Sequence, residues 1–414
     1  MFAKMKSAVL LTILVSVFSM VPGPAAAQAP GLEKYRATIQ DPNIQLIQGA
    51  LRRLRATAAR AGGNVSGGGE DFVELSIQDV LNDGAELQKF QLGLLGLQSA
   101  QAHTPNQTPN PSLDPSIDVL PSAQTKLQHR IAIIDSGLSE TSRAVRNVVH
   151  FQDFTNRCPD KKMCDESLHG TLVADLIAQA APESELVVLK ALNGTANGDF
   201  KNVIAAMKWI LKNHKRHGIK IINLSLVSPD HLSGFWNDVD TAKELLTELK
   251  IEGLFIVTAA GNDSKKSVQV FPADSAAAIT VGSFTHYFSR DPNDYVSSPF
   301  NNFGYASKSE VKHTKFLFYE NVSRNFNAWV FKPDLLAPGD RVFTCATQEK
   351  CYLATGSSFA AALVSGGIRN LLLKNPALTP EDFLKTNRAA CPSPSITGSF
   401  DGTKACAARF DLSP

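Results

Sequence analysis

Short, nearly uninterrupted apolar runs recur through the middle of this 414-residue chain, and helix-like stretches separate them. Arg130-Ile131-Ala132-Ile133-Ile134, Leu186-Val187-Val188-Leu189, Ile219 to Ser225, Leu254 to Ala259 and Ala278 to Val281 read as strands. Between them, His169 to Ala180 carries Leu172, Val173, Leu176 and Ile177 on one stripe, and Asn202 to Lys215 and Ala242 to Leu249 also read as helices. Strands that lack polar alternation are buried on both faces. That requires a mostly parallel sheet with helices on both sides, an α/β fold. In such sheets ligands bind beyond the carboxyl ends of the strands. Asp135, Ser225 and Asn262 fall at or just after those ends.

The flanking segments are of other kinds. Lys4 and Lys6 precede an apolar stretch from Ala8 to Met20, followed by Pro22-Gly23-Pro24 and Ala25-Ala26-Ala27. This is the order of a secretory signal peptide over residues 1–27, with cleavage after Ala27. Its apolar core is too short to span a bilayer, and no later segment is long and apolar enough to do so. The expected location is therefore exported, with periplasm and extracellular space left open. Residues 28–100 form an N-terminal segment preceding the α/β region. In it Ile44, Leu46, Ile47, Ala50, Leu51 and Leu54 have helical spacing, the glycines at 62–63 and 67–69 break the pattern, and Phe72 to Ile77 alternates like a strand. Residues 85–97 are ambiguous. A Pro/Asn/Gln-rich linker spans 101–125 and marks a domain boundary. The main domain then runs over 126–390, and 391–414 form a tail.

A hydrophobic content of 43% with 19% charged residues describes a globular chain, and a net charge of +2 offers no basic face for nucleic acid. The six cysteines fall as sequence-local pairs, Cys158 with Cys164, Cys345 with Cys351 and Cys391 with Cys406. In an exported chain these read as three disulfides, the last closing the tail. Zinc is the rival reading, but C-x5-C is not its usual ligand spacing.

Gly356-Ser357-Ser358-Phe359-Ala360-Ala361-Ala362 carries the chemistry. It follows an apparent strand, Tyr352 to Thr355, and opens an apolar run of small residues. A hydroxyl in the first turn of a helix lies where peptide dipoles favour negative charge. A serine there is commonly no more than a cap. It becomes a nucleophile if the chain supplies a base, an orienting carboxylate and an oxyanion donor. His169 at a helix start, Asp135 at the end of a buried strand and Asn262 after Ala259-Ala260-Gly261 have those chemistries. Each alone has a plain reading as a cap or turn residue. Their joint order on a parallel α/β frame is sharper.

At this point the chain resembles the subtilisin-like serine proteases, the subtilases. Ile133-Ile134-Asp135-Ser136-Gly137 resembles the family's aspartate motif, and His169-Gly170-Thr171 with Val173-Ala174 its histidine motif. Ile221 to Leu226 resembles the substrate-lining strand, Ala259 to Asn262 the oxyanion motif, Lys332 to Gly339 the segment upstream of the nucleophile, and Gly356 to Ala360 the serine motif. The resemblance covers about residues 126–390. It implies a subtilisin-like fold and an exported serine endopeptidase acting on polypeptides through an acyl-enzyme. Asp135 would orient, His169 would act as base and then acid, and Ser358 would attack. Asn262 and the Ser358 backbone N–H would form the oxyanion hole. Ser225, Leu226, Val227, Ala259, Ala260 and Gly261 would line the substrate cleft. Residues 28–125 would be a pro-segment that blocks the cleft until cleaved, making the chain a zymogen; an N-terminal helical extension is the alternative. No cofactor is needed. Calcium, frequent in the family, has no acidic cluster here to name as its ligands.

The departures are Ser357 for Thr, Ala362 for Pro, Leu172 for His, Asp175 for Gly and Val227 for Gly. A β-branched side chain at 227 is expected to narrow the cleft or reshape specificity. The stretch between Asn262 and Ser358 is longer than in compact members, with the extra material within 285–330, either a surface loop or a lid or partner-binding hairpin. A catalytically weak binding or scaffold protein of the same shape, and a peptide ligase or cyclase using the same acyl-enzyme, are the alternative functions. An α/β-hydrolase esterase is disfavoured, because its nucleophile elbow and chain order differ.

Overall fold

A computed structural model of the protein describes residues 71–75, 77–97, 129–194, 200–228, 236–266, 268, 270–285, 295–316, 319–391, 395–397 and 404–410. The expected signal peptide at 1–27, the helical pattern read at 43–60 and the linker expected at 101–125 lie outside these residues. In chain order the elements are β1 (Asp71–Glu74), α1 (Ile77–Gly93), β2 (Arg130–Asp135), β3 (Val148–Asp153), α2 (His169–Ala180), β4 (Leu186–Lys190), α3 (Phe200–His217) and β5 (Ile219–Leu224). There follow α4 (Trp236–Ile251), β6 (Phe255–Ala259), β7 (Ile279–Thr285), β8 (Val296–Ser297), β9 (Gly304–Phe316), β10 (Tyr319–Lys332), β11 (Leu335–Pro338), β12 (Val342–Cys345) and β13 (Cys351–Thr355). The last are α5 (Ser357–Lys374), α6 (Pro380–Ala390), β14 (Ser395–Thr397) and β15 (Lys404–Ala407).

The main sheet has the order β14-β15-β11-β7-β6-β5-β2-β4-β3, with β8 paired to β7. Only the β14–β15 and β7–β8 pairs are antiparallel. The mostly parallel α/β sheet expected from the sequence is thus present. Alternate residues of β2 explain its unbroken apolarity. Ile131 and Ile133 enter one core with α2, α5 and α6, while Ala132 and Ile134 enter the other with α3 and α4. The chain leaves β2 for β3 and β4 on one side, then crosses to β5 on the other. The strand order therefore switches beside β2, which places a binding crevice at its carboxyl end.

The helices follow from their environments. Every residue of α2 is buried, its apolar side chains in the core and its polar ones, such as Asp175 and Gln179, in hydrogen bonds. In α3, Val203, Met207 and Ile210 face the sheet at helical spacing, and the last turn carries Lys215 and Arg216 where the helix dipole favours cations. In α5, Gly366 lets the helix close on α2, since a Cβ there would come 2.6 Å from Ala180 Cβ. Thr379 caps α6 by accepting from Asp382 N–H at 3.1 Å, with Pro380 following at the first helical position. The Lys332-Pro333-Asp334 segment has a structural role as well. The buried Lys332 ammonium donates to Asp334 at 2.6 Å and to the Ala278 carbonyl at 2.8 Å, and Asp334 accepts from Thr280 N–H at 2.9 Å.

Several elements extend the reading of the sequence. Phe72 to Ile77 alternates like a strand, but the strand ends at Glu74 and α1 starts at Ile77. The 391–414 tail contributes β15, which pairs parallel with β11. Within the stretch read as extra, β9 and β10 pair antiparallel. The cysteines pair as Cys158–Cys164, Cys345–Cys351 and Cys391–Cys406. Residues 71–97, set apart from the main domain in the sequence, fall in the same compact unit with it, 50–414.

Candidate active site

Asp135 ends β2 at the switch in strand order and is fully buried. Its Oδ1 accepts from Ser136 N–H at 2.7 Å and lies 2.7 Å from His169 Nδ1. His169 is the first residue of α2 and is also buried. Two features bring these motifs together. Gly170 N–H donates to Ser136 Oγ at 2.9 Å, and a Cβ on Gly170 would meet the Gly137 carbonyl at 2.4 Å. Gly137 itself has φ +116°, and a Cβ there would meet the Cys164 carbonyl at 2.1 Å. Glycine is required at that point both by the backbone conformation and by space.

The start of α2 is held from one turn upstream. Leu168 occupies the cap position with φ 66°, and its side chain makes no capping bond. The Asp165 carboxylate takes that part, accepting from Leu168 N–H at 3.0 Å, Thr171 N–H at 2.8 Å and Thr171 Oγ1 at 2.7 Å. The buried Lys190 ammonium ties the same region together. It donates to the Ser136 carbonyl at 2.5 Å, to Glu166 at 2.7 Å and to the Leu192 carbonyl at 3.0 Å. Nearby, burial pushes the Asp153 carboxyl up, but hydrogen bonds from Cys158, Thr155 and Arg157 outweigh it and hold the group below the ordinary carboxylate range.

Ser358 is the second residue of α5, in its first turn. Its hydroxyl donates to the Ser225 carbonyl at 3.2 Å, and the Ser225 hydroxyl reaches the Ser358 carbonyl at 2.8 Å and Asn223 Oδ1 at 3.0 Å. The next residue, Phe359, brings its ring within 5.7 Å of the His169 ring, which sets the serine turn against the histidine helix. Ser357 joins this turn to the 259–262 loop. Its N–H donates to Asn262 Oδ1 at 2.8 Å, and its Oγ accepts from Gly261 N–H at 3.1 Å. With the Asn262 carbonyl oxygen so engaged, the amide nitrogen is turned away from Ser357 as a donor.

Asn302 was not visible as a site residue in the sequence. Its Oδ1 accepts from the N–H groups of Asp263 and Lys265, both at 3.0 Å, and its N–H donates to the Gly261 carbonyl at 3.1 Å. A Cβ on Gly261, at φ +96°, would meet Asn302 Nδ2 at 2.3 Å. Asn302 thereby sets the path of the 261–265 loop.

Of the six residues expected to line the cleft, Ser225, Ala259, Ala260 and Gly261 are buried around the serine turn. Leu226 packs on the core below α3 and α4. Val227 packs against Val268, Val270 and Ala273, so its β-branched side chain contacts the 268–273 loop. Leu172 is core, Ala362 lies buried in α5, and Asp175 is a buried acid within hydrogen-bond reach of four side or main chains. Among the described residues no group of three or more His, Cys, Asp or Glu side chains is arranged to hold a metal ion, and no helix is long and apolar enough to cross a membrane.

Comparison with known proteins matches residues 128–390 to a family model described as the subtilase family. A subtilisin-like protease of Coccidioides posadasii (strain C735) is 35% identical over 153 residues, 35% of this chain and 36% of that relative. Serine protease AprX of Bacillus subtilis (strain 168) is 23% identical over 282 residues, 61% of this chain and 58% of its own. The chain thus spans 36% and 58% of the lengths of these two curated relatives. A solved cold adapted subtilisin-like serine proteinase shares the fold, with a TM-score of 0.50, 19% identity, and coverage of 78% of this chain and 98% of that one.

Proposed function

The chain belongs to the subtilase family, and from that premise we propose that it is an exported serine endopeptidase acting through an acyl-enzyme. The observation that carries the reading is the 2.7 Å bond between Asp135 Oδ1 and His169 Nδ1, both buried at the carboxyl end of β2. Held in this way, the imidazole keeps its proton on Nδ1 and presents Nε2 as the base. In the proposed first step His169 takes the Ser358 hydroxyl proton as Oγ attacks the scissile carbonyl. The developing oxyanion is met by the Asn262 amide and the Ser358 N–H at the positive end of α5. His169 then gives its proton to the leaving amine, and water repeats the sequence on the acyl group. Protein side chains and main chain supply every step, and polypeptides are the substrate class. Export follows from the leader-like residues 1–27. Blocking of the cleft before maturation is assigned to the N-terminal region, and its removal is tested by comparing the N-termini of secreted wild type and Ser358→Ala.

The test uses the secreted protein with casein and a serine-directed fluorophosphonate. Labelling at Ser358 together with casein hydrolysis is expected, and Ser358→Ala loses hydrolysis by more than about a thousand-fold. A folded, secreted protein that is neither labelled nor active would instead favour a binding or scaffold role for the same fold.

A further inference from the structure

The stretch 71–97 stands apart in sequence, separated from the catalytic region by a proline-rich linker, yet it is built into that region. Strand β1 runs antiparallel to β13, pairing Asp71 with Thr355 through to Glu74 with Tyr352. It becomes the third strand of the β12–β13 sheet, beside the strand that leads directly into the Ser358 turn. Leu75 N–H continues the ladder to the Cys351 carbonyl at 2.8 Å. Helix α1 and the turn after it then bury Leu87, Phe90, Leu92, Leu94 and Leu95, and Leu92 and Leu95 join the same core as Ile131, Ile133 and Phe359. Burial of each such side chain is worth roughly 1.5–3 kcal/mol. Phe410 N–H, near the far end of the chain, donates to the Leu95 carbonyl at 3.0 Å.

A buried polar clasp fixes the register. Gln91 donates to Gln179 Oε1 at 2.8 Å and to the Phe343 carbonyl at 3.0 Å, and accepts from Phe343 N–H at 2.8 Å. Gln179 passes the network to Asp175 at 2.7 Å. Asp175, where the family usually has glycine, also accepts from Cys345 N–H at 2.7 Å and pairs with Arg143 through both guanidinium contacts, at 3.0 and 2.9 Å. Without Gln91, the Phe343 N–H loses its acceptor inside the protein. Such groups are costly to leave unmatched. Gln179 lies ten residues along α2 from His169, about 15 Å at helical rise, so the clasp engages the end of α2 remote from the base.

We propose that residues 71–97 are a permanent part of the working enzyme, docked on the remote end of α2 and along β13. They remain bound after the chain is cut in the 101–125 linker. Any blocking of the cleft by the N-terminal region falls to residues outside 71–97. This inference goes beyond the proteolytic reading, since the docking can be tested without activity.

The experiment inserts a site for a sequence-specific protease after Pro111 in the full chain, cuts the folded protein, and runs it on a native sizing column. The two fragments are expected to co-elute and to separate only in denaturant. The fluorophosphonate labelling rate should stay within about twofold of the uncut chain, because no contact of the catalytic groups changes. Gln91→Leu should weaken retention of the cut fragment by tenfold or more, given the groups it leaves unpaired. Separation of the wild-type fragments on the native column without denaturant would overturn the proposal. A protein that is never labelled but whose fragments co-elute would defeat the proteolytic reading alone.

Discussion

Asp165 illustrates how a single side chain can set the proposed base, His169, without touching it. The four N-terminal N–H groups of α2 have no partners within the helix, and Leu168 at the cap position provides no side-chain acceptor. The Asp165 carboxylate supplies one from three residues further upstream, bonding Leu168, Thr171 and Ser167. Asp165→Ala should therefore cost about 1–2 kcal/mol of stability, the upper range for a lost helix cap. Because His169 is the first residue of that helix, kcat should fall several-fold with KM little changed. Steady-state kinetics and thermal melting together check this, and an unchanged kcat would remove the link between the cap and the base. Asp165 was not legible in the sequence because capping is sought directly before the helix. Asn302 escaped for a different reason. The loop it holds, 261–265, lies about forty residues away, and only the fold brings the two together.

At the scale of elements, legibility followed how local the forces were. Strands β2, β4, β5 and β6 were readable because burial on both faces leaves them apolar throughout, and α2 matched its sequence bounds of 169–180. Helices α3 and α4 run beyond the bounds read from the sequence, since Phe200, Arg216, His217 and Trp236 lie outside the apolar periodicity. Strand β1 is four residues whose partner, β13, lies some 280 positions later, and no local pattern reveals such a pairing. The crossing of the aspartate and histidine motifs was likewise not legible, since the sequence shows them only as two separate motifs. It yields a paired prediction. Gly137→Ala places a Cβ against the Cys164 carbonyl at a φ of +116° that alanine rarely adopts. Loss of soluble folded protein, or a marked fall in melting temperature together with activity, is expected. Gly93→Ala, at the end of α1 with nothing within 4 Å of its Cβ, is the control and should be neutral or slightly stabilising. Equal melting temperatures for the two variants would show that the close approach at Gly137 is readily relieved.

Across the whole molecule, the groups proposed to do chemistry gather at the carboxyl ends of the parallel strands, while an acid-sensitive group sits at the opposite end of the sheet. His129 immediately precedes β2 and adopts φ 67°. Its Nε2 is buried without a hydrogen-bond partner among the described residues. Burial, and then the charges of Lys220 on β5 and Arg369 on α5, lower its pKa from the ordinary value. The folded protein thus keeps His129 neutral at a pH where the unfolded chain, titrating near 6.5, has taken up a proton. Stability linked to this group is complete above about pH 6.5 and declines as the pH falls toward the folded value. Asp153 acts lower on the scale. Its depressed folded pKa contributes stability that is present above the unfolded value of about 3.9 and is lost as the pH falls through the folded one. Melting temperature should therefore drop between pH 7.5 and 5.5, and His129→Leu should reduce that slope while Asp153→Asn leaves it intact. Differential scanning calorimetry of wild type and both variants distinguishes the contributions, and an unaltered slope in His129→Leu would move the acid sensitivity to another group. Because His129 lies at the amino end of β2 and Asp135 at its carboxyl end, relieving this acid sensitivity should leave the labelling rate of Ser358 at pH 7.5 unchanged.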